Sequence, residues 1–171
     1  MKKYSASLFT VASLLLFALN CFALDDTHIT EIMKTANTGE IDAGKLAKKR
    51  ATKDSVKTFA EKMVKEHTDN RDKVKEISKD QDIKMVDSDE SKMLKDDAKK
   101  KIKDLKKVKG GEFDKAYMGT QVAMHQQLLD DLDQKLIPQA KNPKLKSYLE
   151  ETRTHVQNHL NDAKTIQTEL Q

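Results

Sequence analysis

"DSVKTFAEKMVKEHTDNRDKVKEISK", residues 54–79, sets Val56, Ala60, Met63, Val64 and Val74 along one side of a helix and leaves Lys, Glu and Asp on the rest. At about 100° per residue these apolar positions share one stripe, the mark of an amphipathic helix with a buried face. The same stripe carries His67. No alternation of apolar and polar residues here or elsewhere is long enough for a strand. The segment reads as a helix from about Asp54 to Lys79.

Working outward, the chain supplies partners of the same kind. Upstream, about Thr27 to Ala51 places Ile29, Met33, Ala36, Ala43 and Ala47 on one side, and only a few residues separate it from the helix at 54–79. Such a short connection makes the two antiparallel neighbours. Downstream of Gly110 and Gly111, about Glu112 to Leu136 repeats the pattern with Met118, Val122, Leu128, Leu129 and Leu132, and Pro138 is expected to end it. Asn142 followed by Pro143 is a helix start signal. The helix it opens turns Leu145, Tyr148, Thr152, Val156, Ala163 and Ile166 inward.

Between the second and third long helices lies the polar loop "KDQDIKMVDSDES", followed by a Lys-rich segment with a thin apolar edge of Leu94, Ala98, Ile102 and Leu105. It reads as a crossover element lying against the bundle. Its presence leaves the direction of the third long helix open, up-down-up-down or with one long crossover. Charged residues at 35% of the chain, with five Gly and two Pro, suit this all-α reading.

Residues 1–23 stand apart. Lys2 and Lys3 precede an apolar run from Leu8 to Leu19 and then Cys-Phe-Ala. That is the layout of a secretory signal peptide, with Ala23 as the last residue removed. The expectation is a protein exported to the periplasm or envelope, with residues 24–171 forming one domain. A run this short and so flanked makes a retained anchor the minor reading. Cys21 is the only cysteine and leaves with the signal, so disulfide and thiolate chemistry are excluded. Phe9, Phe17 and Phe22 leave too, and the core is expected to be aliphatic, Ala and Met. Without Lys2 and Lys3 the formal charge falls from +4 to +2, which gives no argument for a nucleic-acid partner.

The inward stripes also carry groups that bind protons or metals. Glu40 falls among Ile29, Met33, Ala36 and Ala47, His125 among Met118, Val122, Leu129 and Leu132, and His159 among Tyr148, Thr152, Ala163 and Ile166. His155 lies about 40° from His159 on the same helix. Each group is near the middle of its helix. With a rise of about 1.5 Å per residue, Glu40, His67, His125 and His159 or His155 are expected to share one layer of the bundle.

Two readings of that layer compete. Imidazoles hydrogen-bonded to a buried carboxylate would be a structural polar layer. Three or four imidazoles with one carboxylate would also suit Fe, Zn or Mn far better than Ca or Mg. The chain after residue 23 has no Glu-x-x-His, so the carboxylate-bridged di-iron arrangement is missing.

Four segments, "GEIDAGKLA", "VKTFAEKMVKEHT", "EFDKAYMGTQVAMHQQLL" and "HLNDA", resemble a large family of exported bacterial proteins of unknown function with a ferritin-like helical domain. The resemblance implies a ferritin-like four-helix bundle with the Lys-rich segment as an additional crossover helix between helices two and three. It marks Glu40, His67, Asp114, Tyr117, Gln121, His125 and His159 as the family's recurrent polar positions. His155 is outside that pattern, Thr154 stands where Pro is common, and Glu66 stands where Asp is common. The family implies location and fold and names no reaction.

Asp114 lies about 16 Å along the axis from His125 and cannot join the same site. In the first turn after Gly110-Gly111, it is expected to stabilise the start of its own helix. The run from Lys95 to Lys109 holds eight Lys and three Asp, and weak contact with an anionic membrane surface is one expectation for it. A solvated helix face is the plainer one. No cysteine and no serine on the inner stripes accompanies the histidines, which points away from nucleophilic catalysis. The function expected is an envelope helical-bundle protein whose His/Glu layer is structural or binds a metal, the alternative being a metal-storing, metal-sensing or peroxide-handling protein. Oligomeric state is not legible.

Overall fold

Five helices carry residues 24–171, the part of the chain that the computed structural model describes. The signal-peptide reading of residues 1–23 lies outside the described residues. The helices are α1 (Asp26–Arg50), α2 (Asp54–Asp80), α3 (Asp89–Leu105), α4 (Gly110–Asp131, continued to Gln139) and α5 (Pro143–Glu169). No strand occurs among the described residues, and none of these helices is long and apolar enough to cross a membrane.

Three of the five helix starts have a side-chain cap of their own, and α4, with Lys109 at its N-cap, has none. Asp25 takes the amides of Thr27 and His28 at 3.0 and 3.1 Å. Ser88 and Ser91 form a reciprocal capping box. Asn142 takes the amides of Lys144 and Leu145, with Pro143 in the first turn, as the sequence leads one to expect. α2 has no cap of its own, because Lys53 stands at its N-cap. Asp114 of α4 instead holds the turn that leads into it. Its buried carboxylate accepts from the amides of Thr52 and Lys53 and from the Thr52 hydroxyl at 2.5–3.1 Å. The expectation that Asp114 steadies its own helix is therefore corrected: it steadies α2. Asp26 does the same for α5, accepting from the amides of Lys141 and Asn142 at 2.8 and 2.9 Å.

Those contacts settle the helix directions. Asp114 near the start of α4 meets the start of α2, so α2 and α4 begin at the same end. Gln121 of α4 meets Glu40 of α1, and Gln139 beyond it meets Leu24, so α4 runs antiparallel to α1. α3 carries the chain back along α1. A Cβ on Gly39 would meet that of Ala98 at 3.0 Å, and Arg50 reaches the carbonyls of Leu105, Lys106 and Val108. α3 is thus the crossover that lets α2 and α4 point the same way, and α5 returns parallel to α1. Lys99, Lys101 and Lys107 of the Lys-rich run pair with Asp96, Asp97 and Asp104, within α3 and just past its end. Such exposed pairs are screened by water and hold the segment only weakly.

The helix containing Pro138 does not stop there, which corrects the sequence reading. Residues Leu132–Leu136 form a π-helical turn in which the Ile137 amide bonds to the Leu132 carbonyl. A proline ring clashes with the carbonyl four residues back and lacks its own donor. The widened turn removes that conflict, and the helix continues to Gln139.

Two apolar clusters hold the helices together. One gathers Ile29, Met33, Val74, Leu132, Leu145 and Tyr148; the other gathers Ala47, Val56, Met63, Phe113, Tyr117 and Met118. The second is more aromatic than the composition suggests. Phe59 and Phe113 lie at 6.4 and 6.3 Å from the Tyr117 ring, and Arg50 caps the Phe113 face at 5.2 Å. α1 and α2 approach closely: a Cβ on Gly44 would meet Val64 Cγ2 at 2.8 Å. Between the two clusters lies a slab of buried polar groups: Asn37, Glu40, His67, Gln121, His125 and His159.

Candidate metal centre

α2, α4 and α5 each turn one imidazole to the middle of the slab, because His67, His125 and His159 sit on the same stripes as their apolar neighbours. All three are at least 96% buried. Their ring centroids stand 5.3–5.7 Å apart. One ring nitrogen from each lies within 4.8 Å of the other two, so the group could hold a metal ion.

The opposite nitrogens are held in place. His67 Nδ1 is 2.9 Å from Asn37 Oδ1. The Asn37 amide nitrogen donates to the Met33 carbonyl at 2.7 Å, so its oxygen is the atom facing His67. Asn70 donates to the same oxygen at 3.2 Å and in turn accepts from Thr152 at 3.1 Å. An oxygen acceptor fixes the proton on His67 Nδ1 and leaves Nε2 bare. His125 Nδ1 donates to the Gln121 carbonyl at 2.9 Å, and His159 Nε2 donates to Glu66 at 2.6 Å. The inward atoms are therefore His67 Nε2, His125 Nε2 and His159 Nδ1. All three are buried and have no hydrogen-bond partner among the described residues.

Burial disfavours the charged form of two of these imidazoles. Burial pushes the His67 pKa well below its usual value, and the neighbouring His125 and His159 push it the same way. His159 is lowered to about 4, chiefly by burial, with Glu66 opposing the shift. The Glu66 contact alone would raise it, and burial outweighs that contact. Imidazole nitrogens with lone pairs facing one another are poor partners for each other and good ligands for a cation.

The other polar residues marked in the sequence have different places. Glu40 is buried, but its carboxylate accepts from Gln121 Nε2 at 2.9 Å rather than from an imidazole. It reaches the group only through Gln121, whose backbone carbonyl holds His125. Tyr117 is buried beside it, and burial, with Glu40 adding to it, holds the phenol well above its ordinary pKa. His155 is exposed and is not one of the three converging imidazoles. It lines a cavity of about 340 Å³ between α2 and α5, together with Glu66, His67, Lys73, Glu151 and His159.

Two residues that position the group were not legible as such. Glu66 is the carboxylate that touches an imidazole, yet in the sequence it is only the residue before His67, 100° off the stripe. Asn37 lies one turn before Glu40 on the α1 stripe. A buried amide at that spacing was the available signal.

The family model for a domain of unknown function (DUF4142) matches residues 20–166. No curated protein and no solved structure matches the chain.

Proposed function

The chain belongs to the DUF4142 family, a domain of unknown function matched over residues 20–166, and we propose that it is an exported metal-binding bundle whose metal is held by His67, His125 and His159. One observation carries this reading. Three buried nitrogens converge without hydrogen-bond partners while their opposite nitrogens are each fixed by an outer acceptor. A structural polar layer would join its members to one another. Here each imidazole is joined outward instead, which is the arrangement that orients histidine ligands.

Three imidazole ligands favour Zn, Fe or Mn over the oxygen-seeking Ca and Mg, and they leave at least one coordination position for an outside ligand. The basic and apolar layout of residues 1–23 supports export to the periplasm or envelope. The crossover by α3, with α2 and α4 pointing the same way, supports a ferritin-like connection, which has one such crossover. The role that follows is holding or sensing a transition metal.

Elemental analysis of the exported protein tests the reading. About one equivalent of metal is expected, falling to background when His67, His125 or His159 is changed to Ala. Metal far below one equivalent in the parent, under supply of Zn, Fe and Mn in turn, would remove the proposal.

A further inference from the structure

His155 lies one helical turn from His159 and outside the converging group. Its position, with that of the cavity it lines, bears on how a buried centre is reached. The α1–α2 seam is tight where Gly44 approaches Val64. The cavity of about 330 Å³ beneath α3 carries Glu40 and none of the three imidazoles. The cavity between α2 and α5 is walled by both His67 and His159.

Resting on the metal reading above, we propose that the α2–α5 cavity is the port of the centre, and that Glu151 and His155 make the first, transient contact with an incoming divalent transition-metal cation. Glu66 is the link between port and centre. Its carboxylate holds His159 at 2.6 Å, and its side chain remains 34% exposed. A cation passing from the mouth inward therefore meets Glu151 and His155, then Glu66, then the inner nitrogens. Carboxylate and imidazole are the ligand types such a cation accepts from water. The mouth is spanned by the Lys73–Glu151 pair at 2.5 Å, and both side chains are about half exposed. An exposed pair of this kind is a weak closure. Glu151 can exchange Lys73 for a cation at little cost.

A transient contact on the path lowers the barrier in both directions without changing the end states. Loss of Glu151 and His155 should therefore slow association and dissociation equally and leave affinity where it was. Cobalt(II) is a suitable probe, because its visible absorption reports binding to nitrogen ligands. Stopped-flow mixing of Co(II) with the full chain gives the association rate, and equilibrium titration gives Kd. The double variant Glu151→Gln with His155→Ala should associate about tenfold more slowly, the scale on which local charge steers a cation. Its Kd should stay within about twofold of the parent. Asp97→Asn, on the cavity beneath α3, should associate at the parental rate.

Parental association in the double variant would overturn the port while leaving the centre standing. A weakened Kd would overturn it too, since Glu151 or His155 would then be a ligand of the bound state. Equal slowing by Asp97→Asn would reduce the effect to overall charge and also overturn it. Absence of Co(II) uptake by the parent would remove the centre and the port together.

Discussion

The sharpest consequence of the inward nitrogens concerns His125→Leu, measured with and without metal. In the metal-free protein His125 contributes no hydrogen bond from Nε2, and its Nδ1 shares the Gln121 carbonyl, which keeps the amide of the α-helical ladder. Replacing a buried polar group that has no inward partner by an apolar group of similar size is nearly neutral or stabilising, so the metal-free change should stay within about 1 kcal/mol. With metal the two proteins should separate. A ligand at a hundredfold its Kd stabilises the folded state by about 2.7 kcal/mol. For a domain of about 150 residues that is a rise in Tm of roughly 5–10 °C. Circular dichroism melts of parent and variant, each with a chelator or with Zn(II), give both numbers. The parent should rise by that amount and His125→Leu by little. A metal-free loss near 3 kcal/mol would show the imidazoles to be a cohesive structural layer. A rise of equal size in both proteins would place the metal elsewhere.

Glu66→Gln keeps an acceptor for His159 Nε2 and removes the charge behind it; metal affinity should fall about 10–100-fold by titration, while the metal-free Tm moves little. An unchanged affinity would show that Glu66 does not tune the centre. Asp114→Ala leaves the amides of Thr52 and Lys53 in the α1–α2 turn without their acceptor and should cost about 2–4 kcal/mol in urea unfolding; a cost below about 1 kcal/mol would mean that water serves those amides equally well. The metal-free protein should also lose stability in acid through His159. Its folded pKa of about 4 lies below the ordinary value of 6.5, so the unfolded chain binds the extra proton first. That contribution is whole above about pH 6.5 and is lost as pH falls toward about 4. The stability difference between the parent and His159→Leu should follow this curve, and a flat difference from pH 7 to 4 would contradict it.

Much of this protein follows from periodicity alone. The stripes in residues 27–51, 54–79, 112–136 and from Asn142 onward identify the helices, because a helix must bury one face whatever its neighbours are. They also place His67, His125 and His159 inward at mid-height, since rise and angle per residue are the same in every helix. Periodicity does not say which nitrogen of a ring faces the centre. That depends on the acceptor behind the ring, and Asn37, Glu66 and the Gln121 carbonyl become acceptors only once the helices have packed.

The same limit explains Glu40 and Glu66. Glu40 lies at the centre of its stripe, but Gln121 stands opposite it when α4 packs on α1. Glu66 lies about 100° off its stripe, yet α5 brings His159 to it. Asp114 holds the turn before α2 rather than the start of α4 because the α3 crossover brings the start of α4 to the start of α2. His155 and His159 are one turn apart in the sequence, and the packing of α5 against α2 leaves one at a cavity mouth and buries the other. The sequence by itself determined the helices and their buried faces, which are local and repeat with a fixed period. The tertiary structure decided partner, direction and access, which are relations between helices and have no period to read.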